Sequence, residues 1–254
     1  MLRGRVIPCL LLRNGGLVKT RRFKDAKYVG DPINAIRIFN EKEVDELVVL
    51  DIAATREGRR PDFSLVEQFA GECFMPLCYG GGVRTVADAR LLISLGVEKI
   101  CVQTAALENP EIIGDIAGRL GAQSVVVAVD VKRNWRGNPR LYRSTNGRFD
   151  TRPWAEHMRS LVKQGAGEVI VTAVDREGTM NGVDLELVRT ASDAVQVPVI
   201  ASGGVGSLQD IASAVNAGAS GVAVGSFFVF SGPHRAVLIT YPTQNELDSF
   251  LSTK

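Results

Sequence analysis

Residues 78–104 read C-Y-G-G-G-V-R-T-V-A-D-A-R-L-L-I-S-L-G-V-E-K-I-C-V-Q-T, and residues 200–226 read I-A-S-G-G-V-G-S-L-Q-D-I-A-S-A-V-N-A-G-A-S-G-V-A-V-G-S. A single shift of 122 lays Gly81 on Gly203, Gly82 on Gly204, Val83 on Val205, Asp88 on Asp210, Gly96 on Gly218 and Thr104 on Ser226. In each copy a short apolar run ends in glycines. Thr85-x-x-Asp88 or Ser207-x-x-Asp210 then supplies a helix N-cap with an acid three residues on. Helical spacing follows, stopped by Gly96 or Gly218. A second apolar run closes the unit: strand, glycine turn, helix, strand. Glycines at the end of a strand let a backbone N–H approach an anion, and the next helix adds its positive end. Two copies in register predict two anion sites on one face.

Working outward, eight short apolar runs alternate with helical patterns. They are Arg5–Leu11, Leu47–Ile52, Met75–Tyr79, Lys99–Val102, Ser124–Val131, Val169–Val174, Val197–Ala201 and Gly221–Val224. Continuous Val/Ile/Leu runs without in–out alternation predict strands buried on both faces, as in parallel sheets. Amphipathic segments separate them: 32–42, 63–70, 87–94, 111–120, 154–163 and 185–194. Eight strands with a half-length repeat predict one (β/α)₈ TIM barrel over residues 1–254, built from two (βα)₄ halves. A doubly wound open sheet is the alternative, and the repeat disfavours it. The repeat recurs elsewhere: residues 45–49 match 167–171 at the same shift, and Arg56-Glu57-Gly58 matches Arg176-Glu177-Gly178.

Bulk properties agree with this class. The chain has 254 residues, 45% hydrophobic and 23% charged, enough for a large core. A net charge of +2 gives no argument for nucleic acid. No run approaches the 18 apolar residues of a membrane span, and Pro8 interrupts the only apolar run near the N-terminus, so a cytoplasmic chain is expected. Cys9, Cys73, Cys78 and Cys101 form no C-x-x-C pair and only two histidines exist, so buried thiols are expected and no metal or other cofactor.

Two connections exceed the usual length, 12–31 and 132–152; both follow a strand's C-terminal end, where barrel active sites sit. They read as loops, the first a candidate lid over an anionic substrate. Without a metal set or a Ser/His/Asp arrangement, acid–base work falls to carboxylates or lysine. Asp130, ending the apolar run V-V-V-A-V-D, is the leading candidate, because burial should lift its pKa. Lys19 in the first long connection could reach a phosphate or carbonyl. Asp51 and Asp175 are expected to hold turns by accepting backbone N–H bonds.

Several strings together resemble the cyclase subunit of imidazole glycerol phosphate synthase (HisF). They are P-C-L at 8–10, G-x-V-K at 16–19, G-D-P at 30–32, D-E-L-V-x-L-D-I at 45–52, G-G-G at 80–82, V-V-V-A-V-D at 125–130, G-A-G-E at 165–168, D-R-E-G-T at 175–179 and A-S-G-G at 201–204. The resemblance covers almost the whole chain. It implies a (β/α)₈ barrel with a glutaminase docked on the N-terminal face. Ammonia crosses the barrel to a ribulosyl-formimino carboxamide nucleotide held by a phosphate at each end. The implied products are imidazole glycerol phosphate and aminoimidazole carboxamide ribotide, with no cofactor. The resemblance also assigns residues. Arg5, Glu46, Lys99 and Glu168 match a charged ring at the barrel floor, the ammonia gate, and Glu98 matches a contact to the glutaminase. One phosphate site would use Gly82, Thr104 and Gln103, the last in place of an Asn. The other would use Gly178, Gly204, Gly225 and Ser226, with Glu177 in place of an Asp. Lys19 and Asp130 match catalytic residues. Leu11 departs: the family has a second catalytic Asp there, and the P-C-L-L-L string resembles a subgroup of paralogues tied to amidation of surface-polysaccharide sugars.

Overall fold

The structure is a computed structural model describing residues 4–251. Eight parallel strands run β1 (Arg5–Arg13), β2 (Leu47–Asp51), β3 (Leu77–Gly80), β4 (Lys99–Val102), β5 (Val125–Arg133), β6 (Glu168–Ala173), β7 (Val199–Ser202) and β8 (Gly221–Val224). Each pairs with the next, and β8 pairs with β1, Arg5 opposite Gly221, so the sheet closes into a barrel. Closure excludes the open doubly wound sheet.

The eight sequence runs fall on these strands because every strand is covered twice, by the lumen and by helices. Helices Pro32–Glu41, Phe63–Glu72, Val86–Ser94, Glu111–Leu120, Trp154–Lys163, Leu185–Ala194, Leu208–Asn216 and Gln244–Leu251 form the outer shell. Phe39, Phe69, Leu92, Ile113, Ile116 and Leu161 are fully buried between shell and sheet. Each such side chain contributes about 1.5–3 kcal/mol on leaving water.

The half-barrel repeat is visible in the caps. Thr85 Oγ1 accepts from the Asp88 N–H at 3.0 Å, and Ser207 Oγ accepts from the Asp210 N–H at 3.2 Å. Asp62 and Asp184, also 122 apart, cap their helices alike: each accepts from the N–H of the third residue on, both at 3.1 Å.

The two long connections are not loops. β1 runs on past the barrel rim and folds back through antiparallel strands Gly16–Arg21 and Lys24–Gly30, and β5 does the same with Pro139–Arg143. Leu12, Leu17 and Val29 of the first hairpin join the core, and Lys24, Asp25 and Lys27 are exposed. Arg152 and Arg143 both donate to Asp150, which is nearly fully buried, and this anchors the end of the second excursion.

The lumen has its own core, separate from the shell. Ile7, Val48, Cys78, Cys101, Val126, Ile170, Ile200 and Ala223 supply one inward side chain per strand. Inward positions recur every second residue. Ile7, Val48, Cys101 and Ile170 therefore stand one tier above Arg5, Glu46, Lys99 and Glu168.

Candidate active site

At the N-terminal end of the lumen those four charges form a closed ring of alternating sign. Arg5 donates to both Glu46 and Glu168. Lys99 Nζ donates to Glu46 at 2.9 and 3.0 Å and to Glu168 at 2.9 Å. Burial alone would lower the Lys99 pKa, but Glu46 and Glu168 outweigh it and hold the ammonium firmly charged. Glu46 lies deeper, and burial raises its pKa more than Lys99 and Arg5 lower it. Glu98 is exposed on the same face, immediately before β4.

At the opposite end a cavity of about 410 Å³ opens between the hairpins. It reaches down the lumen to Val48, Cys101, Ile170 and Ala223. Small residues along the lumen, Gly80, Ala128, Ala223 and Gly225, keep it open. One tier of side chains separates its floor from the ring, about 7 Å of strand. The lining between is apolar apart from the thiols of Cys9, Cys78 and Cys101.

Asp130, at the end of β5, is 7% exposed and lines this cavity. Burial pushes its carboxyl up to about 7, against a lowering by the Ser144 hydroxyl and with a further rise from Glu177. Leu11, on β1, lines the same cavity and presents an apolar wall there.

Lys19 lies on a strand, not in a loop as the sequence reading had it. It sits in the first hairpin, 4% exposed, with Nζ donating to the Cys9 carbonyl at 2.5 Å. Burial lowers its pKa, opposed by Cys9 and Glu177. Its ammonium lies against Gly225; a Cβ there would be 3.0 Å from Nζ.

The hairpin is latched by Glu177. Thr20 Oγ1 donates to Glu177 Oε1 at 2.8 Å, the Phe23 N–H to Oε2 at 2.9 Å, and the Arg22 N–H to the Glu177 carbonyl at 2.9 Å. Glu177 thus ties the first hairpin to the turn after β6 while still lining the cavity. Phe23 and Tyr142 bring the two hairpins together, their ring centroids 6.5 Å apart.

The two glycine turns open into this one cavity, with Gly82, Gln103 and Thr104 on one side and Gly178, Gly204, Gly225 and Ser226 on the other. Gly82 and Gly204 hold φ of +73° and +102°. A Cβ would lie 2.8 Å from the Arg59 carbonyl oxygen at the first and 2.1 Å from that of Gly182 at the second. No residue but glycine fits either turn. The Gly82 N–H donates to Thr55 Oγ1 at 3.2 Å, so a phosphate at the first turn competes with Thr55. Gln103 is engaged at both ends: Nε2 donates to Asp130, and Oε1 accepts from Ser144 at 3.1 Å and Thr104 at 3.2 Å.

Sequence reasoning passed over Thr55, Ser144, Thr20, Arg56 and Arg84, all on the cavity wall. Arg56 Nη2 donates to the Ser144 carbonyl and ties the turn after β2 to the second hairpin. The 122-residue repeat could have flagged the asymmetry at Arg84, whose counterpart is Gly206. Asp51 accepts from the N–H groups of Ala53 and Ala54 at 2.9 and 3.0 Å, and Asp175 from that of Arg133 at 2.7 Å. Among the described residues no group of three or more His, Cys, Asp or Glu is placed to hold a metal ion. No helix among them is long and apolar enough to cross a membrane.

The chain matches the family described as "Histidine biosynthesis protein" over residues 5–233. A protein of Pseudomonas aeruginosa provisionally named imidazole glycerol phosphate synthase subunit hisF2 is 50% identical, over 98% of this chain and 99% of its own length. A Leptospira borgpetersenii protein provisionally named subunit HisF is 46% identical, over 98% and 99%. A Vibrio vulnificus protein provisionally named subunit hisF3 is 48% identical, over 97% and 95%.

Proposed function

This chain belongs to the histidine biosynthesis protein family, and from that membership we propose that it is a HisF-type synthase subunit using ammonia from a glutaminase docked on its N-terminal face. In this reading the substrate carries a phosphate at each end and spans the C-terminal cavity between the two glycine turns. The reaction is that of imidazole glycerol phosphate synthase: ammonia adds to a ribulosyl-formimino carboxamide nucleotide, giving imidazole glycerol phosphate and aminoimidazole carboxamide ribotide.

One observation carries the reading. A four-charge ring closes one end of the lumen, and a cavity flanked by paired glycine turns descends to within one tier of it. Neutral ammonia suits an apolar lumen, whereas ammonium would lose its hydration there. In the cavity, Asp130 with a pKa near 7 can accept and return a proton around neutrality. Lys19, buried and pre-positioned, can donate to a carbonyl or phosphate oxygen. Residues 12–31 close over the mouth and exclude water.

The test is turnover of that nucleotide by purified protein, with ammonium salt at pH 8.5 and separately with glutamine plus the glutaminase. Product from both supports the reading; well-folded protein that yields product from neither refutes it.

Leu11 favours a second reading. Losing one acid–base group costs about 10²–10⁴ in rate. A chain keeping its ring while lacking that group fits a conduit that docks a glutaminase and passes ammonia to a sugar-amidating enzyme of surface-polysaccharide synthesis. It is distinguished by stimulation of the glutaminase without imidazole product.

A further inference from the structure

Gln103 stands at the N-cap position of a five-residue helix, Thr104–Glu108, yet its side chain makes no capping bond. It turns into the cavity. There its amide oxygen takes two hydroxyl donors, Ser144 Oγ at 3.1 Å and Thr104 Oγ1 at 3.2 Å. With that oxygen turned to the two hydroxyls, Nε2 faces Asp130 Oδ2, to which it donates. The two hydroxyls come from different places: Thr104 opens the short helix after β4, and Ser144 follows the returning strand of the second hairpin, held through its carbonyl by Arg56. We propose that Gln103 is a positioning residue for Asp130, a donor aimed at its carboxylate with Thr104 and Ser144 on its amide oxygen, rather than a ligand to the substrate's phosphate.

The physical case is one of opposing terms. Burial in the lumen favours the neutral acid, and a neutral Asp130 would be a poor base. A hydrogen bond donated to the ionised form works the other way. Because Nε2 can donate but not accept, it supports the carboxylate and cannot reward the proton. It engages Oδ2, and the Ser144 hydroxyl acts on the same carboxyl group in the same direction. An Asn at this position is one methylene shorter and would not span the same gap while keeping both hydroxyl contacts.

Other charged groups share the cavity: Lys19 and Glu177 at the first hairpin, Asp51 and Arg56 at the turn after β2, Arg84 and Glu108 on the first-half wall. The thiols of Cys9 and Cys101 also face it. None is bonded to Gln103, so substituting it leaves them in place.

The inference rests on Asp130 being the proton-transferring group, and its test is chosen to be separable from that reading. The carboxyl of Asp130 is titrated by ¹³C NMR in the full-length protein, assigned by its loss in Asp130→Asn. Gln103→Leu is expected to raise its apparent pKa by about one unit or more. Gln103→Asn is expected to raise it by part of that shift. Ser144→Ala removes one of the two donors to the amide oxygen and also the hydroxyl's own lowering of Asp130, so it is expected to raise the pKa as well. An Asp130 titration unmoved in both Gln103→Leu and Gln103→Asn overturns the inference whatever the enzyme's activity. Inorganic phosphate binding, measured by calorimetry, gives the second arm. Affinity lowered less than twofold by Gln103→Leu supports a positioning role, and a tenfold loss would make Gln103 a phosphate ligand and overturn it.

Discussion

Asp130→Asn should make the protein more stable at pH 8 and no more stable at pH 4. Asp130 is 7% exposed, and burial, the dominant cause, lifts its pKa from an ordinary 3.8 to about 7. A carboxyl whose folded pKa is raised stabilises fully below its unfolded pKa. That contribution drains away as pH rises from about 3.8 and is gone above about 7. The difference of about 3 units corresponds to roughly 4 kcal/mol at most, at 1.36 kcal/mol per unit. Asparagine removes the charge and keeps the acceptor for Gln103, but brings an N–H pair that needs partners, at about 1–3 kcal/mol. The net gain at pH 8 is therefore roughly 1–3 kcal/mol, or about 3–10 °C in Tm for a chain of this size. At pH 4 the wild-type group is already neutral in the fold, and only the amide's cost remains. Thermal unfolding by circular dichroism at both pH values measures this directly. A Tm difference of the same sign and size at pH 4 and pH 8, or none at pH 8, would refute the claim that the fold buries an ionised carboxylate at the mouth. Activity moves oppositely: the variant loses turnover while gaining stability.

Other expectations follow from the same geometry. Lys99→Met leaves Glu46 and Glu168 buried with Arg5 as their only partner in the ring; this costs about 3–5 kcal/mol in denaturant unfolding and lowers glutamine-driven more than ammonium-driven turnover. Gly204→Ala puts a Cβ 2.1 Å from the Gly182 carbonyl oxygen at a φ of +102°, so it should lose at least about 2 kcal/mol and weaken phosphate binding; Gly58→Ala, with nothing within 4 Å, should cost about 1 kcal/mol and spare it. Glu177→Ala removes the acceptor for Thr20 and Phe23, so trypsin should cut the hairpin at Arg21, Arg22, Lys24 or Lys27 about tenfold faster. Leu11→Asp should raise cyclisation tenfold or more if loss of that carboxylate is what limits the reaction; an unchanged rate beside an intact ring would point to onward delivery of ammonia.

The barrel was legible in the sequence for a physical reason. Strands such as Val125–Arg133 and Glu168–Ala173 are covered on both faces, so they carry the continuous apolar runs 125–129 and 169–171, and each half carries the same caps. The hairpins were not legible. Lys24, Asp25 and Lys27 face water, so the segment reads as polar loop, and nothing local shows that Leu17 and Val29 join the core beneath it. The burial of Lys19 follows from that pairing and was equally hidden. The resemblance put Glu177 beside a phosphate, and its bonds to Thr20 and the Phe23 N–H were not legible because those residues lie more than 150 positions away in sequence. Asp130 could be singled out because a carboxylate ending an apolar run is conspicuous. Gln103 and Ser144 could not be linked to it, since amide and hydroxyl positions carry no periodicity.

The central claim is that the two in-register glycine turns hold the two ends of one doubly phosphorylated molecule. A crystal structure grown with millimolar inorganic phosphate tests it most directly. The expected result is two phosphates in the C-terminal cavity, one beside Gly82 and Thr104 and one beside Gly204 and Ser226. Phosphate bound only at the four-charge end, or a cavity empty at saturating phosphate, would contradict the account.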